Sequence, residues 1–193
     1  MYFFSRINFP TLLTFLRLCL GFFIFPFLIV HILPQHSLLY NSILCISFLL
    51  CGATDFLDGY LARKYNGQTL LGKILDPLAD KFLMYGSWIA LLALQKLWYV
   101  WVLLLICREL LVTSIRHIAV EYKFDIPVSD WGKLKSTVHI FFVALLLLDL
   151  ENLHYAGWWY SGIYTILLIL SLWLSWYSAW QYCKEFIIKM QKQ

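Results

Sequence analysis

Six long apolar runs divide the chain, approximately Thr11–Ile32, Leu38–Ala62, Pro77–Leu94, Trp98–Val120, Leu134–Leu150 and Trp158–Tyr182. Each is close to the roughly 20 residues a helix needs to cross hydrocarbon. The pattern predicts an all-α polytopic membrane protein with six transmembrane helices. Residues 1–10 are predicted to form a short interfacial helix, with Tyr2, Phe3, Phe4 and Phe9 suited to the interface and Arg6 to the headgroups. The first apolar run follows Arg6 as a signal sequence would. It exceeds the usual 7–15 or so apolar residues, and Ile32–His36 offers no small-residue cleavage pattern, so a retained helix is expected. With no repeat, linker or low-complexity tract in view, residues 1–193 read as a single membrane domain.

The basic residues orient these spans. Arg6, then Arg63, Lys64 and Lys73, then Lys123, Lys133 and Lys135, then Lys184, Lys189 and Lys192 fall on one side; the loops of the other side carry only Lys96. The positive-inside rule places both termini, and the loops after the second and fourth spans, in the cytoplasm. Composition agrees: 62% of residues are hydrophobic and 13% charged, against about 45–50% and about 25% in soluble domains. Cys19, Cys45, Cys51, Cys107 and Cys183 are scattered singly in apolar stretches, which argues against a disulfide framework or a cysteine metal site.

Against that background Asp55, Asp58, Asp76 and Asp80 stand out, because an aspartate at bilayer depth costs roughly 2.5–3.5 kcal/mol unless something binds it. The stretch reads D-x2-D-G-x2-A-R-x8-G-x3-D-x3-D, with Gly59, Ala62, Arg63 and Gly72 at the fixed non-acidic positions. Asp55 and Asp58 share a helix face at the end of the second span, and Asp76 and Asp80 lie one turn apart at the start of the third. Four carboxylates converging across two antiparallel helices cannot all stay ionised without cations. Oxygen-only donors favour Mg²⁺, Mn²⁺ or Ca²⁺, and a shared carboxylate cluster suits two metals set for phosphoryl displacement. Gly59 and Ala62 leave room for a substrate, and Arg63 offers a fork of donors to phosphate. Asp76-Pro77 also has the form of an ordinary helix start, with aspartate as N-cap and proline at the first helical position.

With every position matched, the stretch from Asp55 to Asp80 resembles the signature of the CDP-alcohol phosphatidyltransferase family. The resemblance implies six membrane helices, frequently a homodimer, and an active site open to the cytoplasm. It implies transfer of a phosphatidyl group from CDP-diacylglycerol to an alcohol, with release of CMP. Asp55, Asp58 and Asp76 would ligate two divalent metals, Mg²⁺ or Mn²⁺. Asp80 would complete the site and act as general base on the incoming hydroxyl. Asp55, Gly59, Ala62, Arg63 and Gly72 would lie on the CDP side.

The acceptor is read from the remaining cations. Arg108-Glu109 interrupts the fourth span, and Arg108, Val112 and Arg116 share a helical face, so two guanidinium groups are expected to point into one cavity. Lys133 and Lys135 open the fifth span, where unpaired N–H groups favour an anion. These four, with Lys81, are the candidates for binding a phosphate on the acceptor; an ion pair of Arg108 with Glu109 or a motif aspartate, and topology-setting lysines, are the structural alternative. The opening Asn8-Phe9-Pro10-Thr11-Leu12-Leu13-Thr14-x2-Arg17, Asp76-Pro77-Leu78-Ala79-Asp80-Lys81, Arg108-Glu109-x4-Ser114-x-Arg116 and Gly132-Lys133-x-Lys135-Ser136-Thr137 resemble the bacterial phosphatidylglycerophosphate synthases within the family. That resemblance implies glycerol 3-phosphate as acceptor and the bacterial inner membrane as location, with Asn8 and Thr11 lining the nucleotide side. Inositol phosphate, or phosphatidylglycerol giving cardiolipin, would suit the same cations, and a small cation transporter is the alternative of another class. Beyond Thr137 the sequence offers apolar helices and a basic tail with nothing diagnostic.

Overall fold

A computed structural model describes residues 15–16, 18–64, 70–122, 124, 130–151 and 157–191, of which 54–64, 70–77, 79, 80 and 130 are described as backbone alone. Among them every regular element is helical. In chain order these are a π-helical turn (Leu20–Ile24) running into α1 (Phe25–Ile32), a 3₁₀ turn (Leu33–Gln35), α2 (Leu38–Lys64), α3 (Leu70–Ala93), α4 (Tyr99–Glu121), α5 (Asp130–Leu148) and α6 (Trp158–Met190). The described parts of all six predicted runs therefore fall mainly on helices. Two stretches, Trp131–Leu148 and Trp158–Met190, are long and apolar enough to cross a membrane, while Leu20–Gln35, Leu38–Ala53 and Lys81–Ala93 are shorter apolar helical stretches.

The third helix starts earlier than its apolar run suggested. α3 begins at Leu70, so Asp76-Pro77 lies inside it and is not a cap. Leu70, Leu71, Ile74 and Leu75 recur at helical spacing and carry the helix through a proline that would otherwise favour a break.

The chain forms two compact units, Met1–Lys96 with Val143–Tyr155, and Leu97–Phe142 with Ala156–Gln193. In the first unit α1 packs on α2 and α3 around Phe25, Ile29, Leu44, Phe48, Leu83, Trp88 and Leu91. Phe25 meets Phe48 edge-on at 5.9 Å between ring centroids. Pro26, which has no N–H to give, follows the π turn, and that irregular turn comes very close to α3. A Cβ on Gly21 would stand 2.8 Å from the Leu83 backbone, and one on Gly86 would stand 2.6 Å from the Gly21 carbonyl oxygen. Small residues at a helix crossing are the usual means of close contact in membranes. Along α2, Leu39, Ile43, Ile46 and Leu50 are exposed, whereas Asn41, Leu44, Cys45 and Phe48 are buried. A continuous exposed apolar stripe of this kind suits lipid and not water.

One end of this unit is closed by three chain reversals. His36, Gln95 and Asp149 each take a left-handed backbone, with φ of 49°, 58° and 50°. After α3, Lys96 N–H reaches Leu91 O and Gln95 N–H reaches Leu92 O, both at 2.9 Å, a Schellman ending with glutamine where glycine is usual. Asp149, only 1% exposed, receives Lys96 Nζ on one oxygen and lies 3.2 Å from His36 Nδ1 on the other. The reversals thus bring the start of α2 and the end of α3 together at one carboxylate, and the two helices run antiparallel from it.

The second unit is built on the packing of α4 against α6. Val112, Ala119, Ala179 and Tyr182 form its core, with Ile115, Phe124 and Phe186 packed around them. An aromatic ladder joins α5 to the exposed side of α6: Trp131 lies edge-on to Trp173 and Tyr177, which stack on each other at 5.2 Å. Trp98 and Trp158 are exposed at the starts of α4 and α6, and tryptophan is the residue that suits a membrane–water interface.

Candidate active site

The aspartates divide evenly between two helix ends of the first unit. Asp55, Asp58, Gly59, Ala62 and Arg63 occupy the last three turns of α2, and Gly72, Asp76 and Asp80 the first three turns of α3. Both sets lie at the end away from Asp149: seventeen residues of helix from Leu38 to Asp55 rise about 25 Å. The helix ranges thus put the two sets at successive helix ends, and their side chains lie outside the described residues. Asn8 and Thr11 lie outside the described residues altogether. Lys81, directly after Asp80, is half-buried.

The cations of the second unit are arranged differently from the single open cavity expected. Arg108 is 2% exposed and spends its donors inside the protein. Its Nε donates to Ser175 O at 2.7 Å, Nη1 to Glu109 Oε1 at 2.8 Å, and Nη2 to the Ser178 hydroxyl. Lys135, also buried, donates to the same Glu109 oxygen. One carboxylate of α4 is thus shared by a guanidinium of its own helix and an ammonium of α5. Arg116 keeps the face of Arg108 but is exposed; its Nη2 lies 3.3 Å from Tyr182 Oη, and its guanidinium carbon sits 5.7 Å above that ring. Both arginines therefore face α6. Lys133 is exposed, so the two lysines of Gly132-Lys133-Leu134-Lys135 part company, one outward and one inward.

The helix that receives these groups was read as featureless. Ser171, Ser175 and Ser178 are at most 1% exposed, and Tyr182 is buried. His139 Nε2 lies 3.3 Å from Ser171 O. The Ser175 hydroxyl has no hydrogen-bond partner among the described residues. The signal was present in the sequence: Ser171, Ser175, Ser178 and Tyr182 recur at intervals of four, three and four, the period of one helix face. Glu109, the hub of the network, was noticed only as a possible mate for Arg108.

Residues 7–180, nine-tenths of the chain, match the CDP-alcohol phosphatidyltransferase family. The chain belongs to that family. A CDP-alcohol phosphatidyltransferase has to bring a nucleotide-linked lipid and an alcohol to one phosphorus, and several relatives are named for the pair they join. A protein of Rickettsia typhi is 36% identical over 141 residues, 73% of this chain and 76% of the relative. One of Haemophilus influenzae is 33% identical over 151 residues, covering 76% and 79%. One of Salmonella choleraesuis is 31% identical over 176 residues, covering 87% and 91%. Each is named CDP-diacylglycerol–glycerol-3-phosphate 3-phosphatidyltransferase.

Proposed function

We propose that the protein transfers the phosphatidyl group of CDP-diacylglycerol to sn-glycerol 3-phosphate, giving phosphatidylglycerol phosphate and CMP. The observation that carries this reading is the similarity, across most of the chain, to enzymes named for that reaction. Family membership sets aside the cation transporter. The inositol phosphate and phosphatidylglycerol acceptors remain as outcomes of the test.

The residues suit the chemistry. An all-oxygen donor set on two adjacent helix ends fits two Mg²⁺ or Mn²⁺ ions, which Asp55, Asp58, Asp76 and Asp80 would hold. Such ions supply charge neutralisation for the bridging phosphates. Asp80 takes the proton of the acceptor hydroxyl as its oxygen bonds to the phosphatidyl phosphorus and the bond to CMP breaks. Arg63, Gly59, Ala62, Gly72, Asn8 and Thr11 serve the CDP moiety, with Arg63 holding phosphate through its fork. Arg116 and Lys133, with Lys81 as a further cation, hold the acceptor phosphate. Arg108 and Lys135, offered by the sequence for the same role, act from inside the protein.

The exposed apolar stripe of α2 and the length of α5 and α6 support a six-span protein of the bacterial inner membrane, residues 1–193 forming one domain. The basic loops support cytoplasmic termini and a cytoplasmic active site, and the protein works among membrane lipids as a homodimer.

The test is CMP release from CDP-diacylglycerol by purified protein in detergent with Mg²⁺ or Mn²⁺, offering glycerol 3-phosphate, inositol phosphate, phosphatidylglycerol or serine. Turnover with glycerol 3-phosphate alone, abolished by Asp80→Asn, is expected. Turnover with inositol phosphate or phosphatidylglycerol would overturn the acceptor and leave the two cations their phosphate, whereas turnover with serine alone would overturn the assignment of Arg116 and Lys133.

A further inference from the structure

We infer that Glu109 is a positioning residue for the acceptor: its half-buried carboxylate, shared between Arg108 and Lys135, fixes the two helices that present Arg116 and Lys133. The inference rests on the proposed role of those two exposed cations.

The geometry makes Glu109 a junction and not a surface charge. Its side chain is 14% exposed, those of its two partners 3% and 9%, and both donate to the single oxygen Oε1. Lys135 belongs to α5, so this oxygen ties α4 to α5. Arg108 in turn grips the Ser175 carbonyl and the Ser178 hydroxyl of α6, so the same group of side chains also ties α4 to α6. Arg116 follows Arg108 by eight residues on the same helix face, and Lys133 precedes Lys135 by two. A shift of α4 against α5 at Glu109 is therefore passed directly to the separation of Arg116 and Lys133. Bidentate recognition of a phosphate tolerates little such movement, because the donors must meet fixed oxygen positions.

A half-buried carboxylate facing two buried cations also resists replacement. Glu109→Gln keeps the shape but removes the negative charge that Arg108 and Lys135 share. A broken buried pair of this kind is strongly destabilising. Lys135→Gln combined with Glu109→Gln removes the extra charge and gives a variant that folds without the tie. Glu109→Asp retains the charge on a shorter arm.

The experiment is calorimetric titration of glycerol 3-phosphate into the detergent-solubilised full chain, followed by KM for each substrate. The wild type is expected to bind. Glu109→Gln and the double variant are expected to bind glycerol 3-phosphate and to show a KM for it weaker by tenfold to a hundredfold, the order seen when a group is misplaced by about 1 Å. The KM for CDP-diacylglycerol should stay unchanged, and Glu109→Asp should recover part of the loss. A purely structural carboxylate would lower the active fraction and leave both KM values of the surviving enzyme alone. Unaltered affinity in a folded double variant overturns the inference and leaves the proposed function standing. Failure of the wild type to bind glycerol 3-phosphate overturns the proposed acceptor, and the inference with it.

Discussion

Gly86→Ala tests whether the π turn before α1 sets the position of the aspartate-bearing helix. The added Cβ would stand 2.6 Å from the carbonyl oxygen of Gly21 and 2.7 Å from Pro26 Cγ. Ordinary contacts are about 3.5–4.0 Å, so α1 and α3 must separate by roughly 1 Å at the crossing. One obstacle is backbone and the other a proline ring, so neither can swing aside. Overpacking of this kind costs about 1–3 kcal/mol. Against it stands the gain of about 1 kcal/mol for alanine over glycine inside a helix. The immovable neighbours put the steric cost at the upper end, leaving a net loss of about 1–2 kcal/mol, or roughly 3–6 °C in midpoint for a chain of this size. Gly162→Ala in α6 is the matched control, because nothing lies within 4 Å of its added Cβ. It should be neutral or slightly stabilising. The assay is thermal unfolding in detergent followed by intrinsic tryptophan fluorescence. Gly86 follows Asp80 by six residues, about 9 Å of helix, so CMP release should fall together with stability, by tenfold or more. A Gly86→Ala protein as stable and as active as Gly162→Ala would refute the close crossing as the element that positions α3.

Asp149→Asn removes the carboxylate on which Lys96 and His36 converge. Because Lys96 is a fifth exposed, the loss should be about 2 kcal/mol, below the range for fully buried pairs. A midpoint measurement checks it, and the folded enzyme should keep its KM values, since this carboxylate sits at the opposite end of α2 and α3 from the motif. Gln95→Gly relieves a left-handed non-glycine residue at the end of α3 and should stabilise by about 1 kcal/mol, read from the same melt. Chelation should abolish CMP release, with Mg²⁺ or Mn²⁺ restoring it; activity that survives exhaustive chelation would remove the metals from the mechanism.

The legible part of this chain was the part written in type and spacing. Helices follow from apolar runs near the length of a span, and the aspartate motif depends on residue identities at fixed intervals along one strand of sequence. Arg108 and Lys135 were recognisable as unusual but not as inward-facing, because their partners, the Ser175 carbonyl and the Glu109 carboxylate, are fixed by how α4, α5 and α6 pack. The α6 serines were overlooked for a related reason. A serine raises no alarm in an apolar run, and only the repeat of Ser171, Ser175, Ser178 and Tyr182 marks a face. The start of α3 was misplaced because proline was weighed as a helix boundary, whereas the leucines and isoleucine before it continue the same face. The Gly21–Gly86 crossing had no sequence signal, since it depends on an irregular turn 65 residues away in the chain.

The polar seam of α6 also bears on how the protein is made. Arg108 and the Ser175 carbonyl are 67 residues apart, a gap that takes roughly 3–13 s to synthesise. Throughout that interval α4 has its arginine beside Glu109 and no serine face to receive it. A chain cut before Ser171 would carry the whole aspartate signature and still leave Arg108 without its two acceptors on α6. The helix with no diagnostic residue therefore completes the packing of the one that carries Arg108 and Arg116.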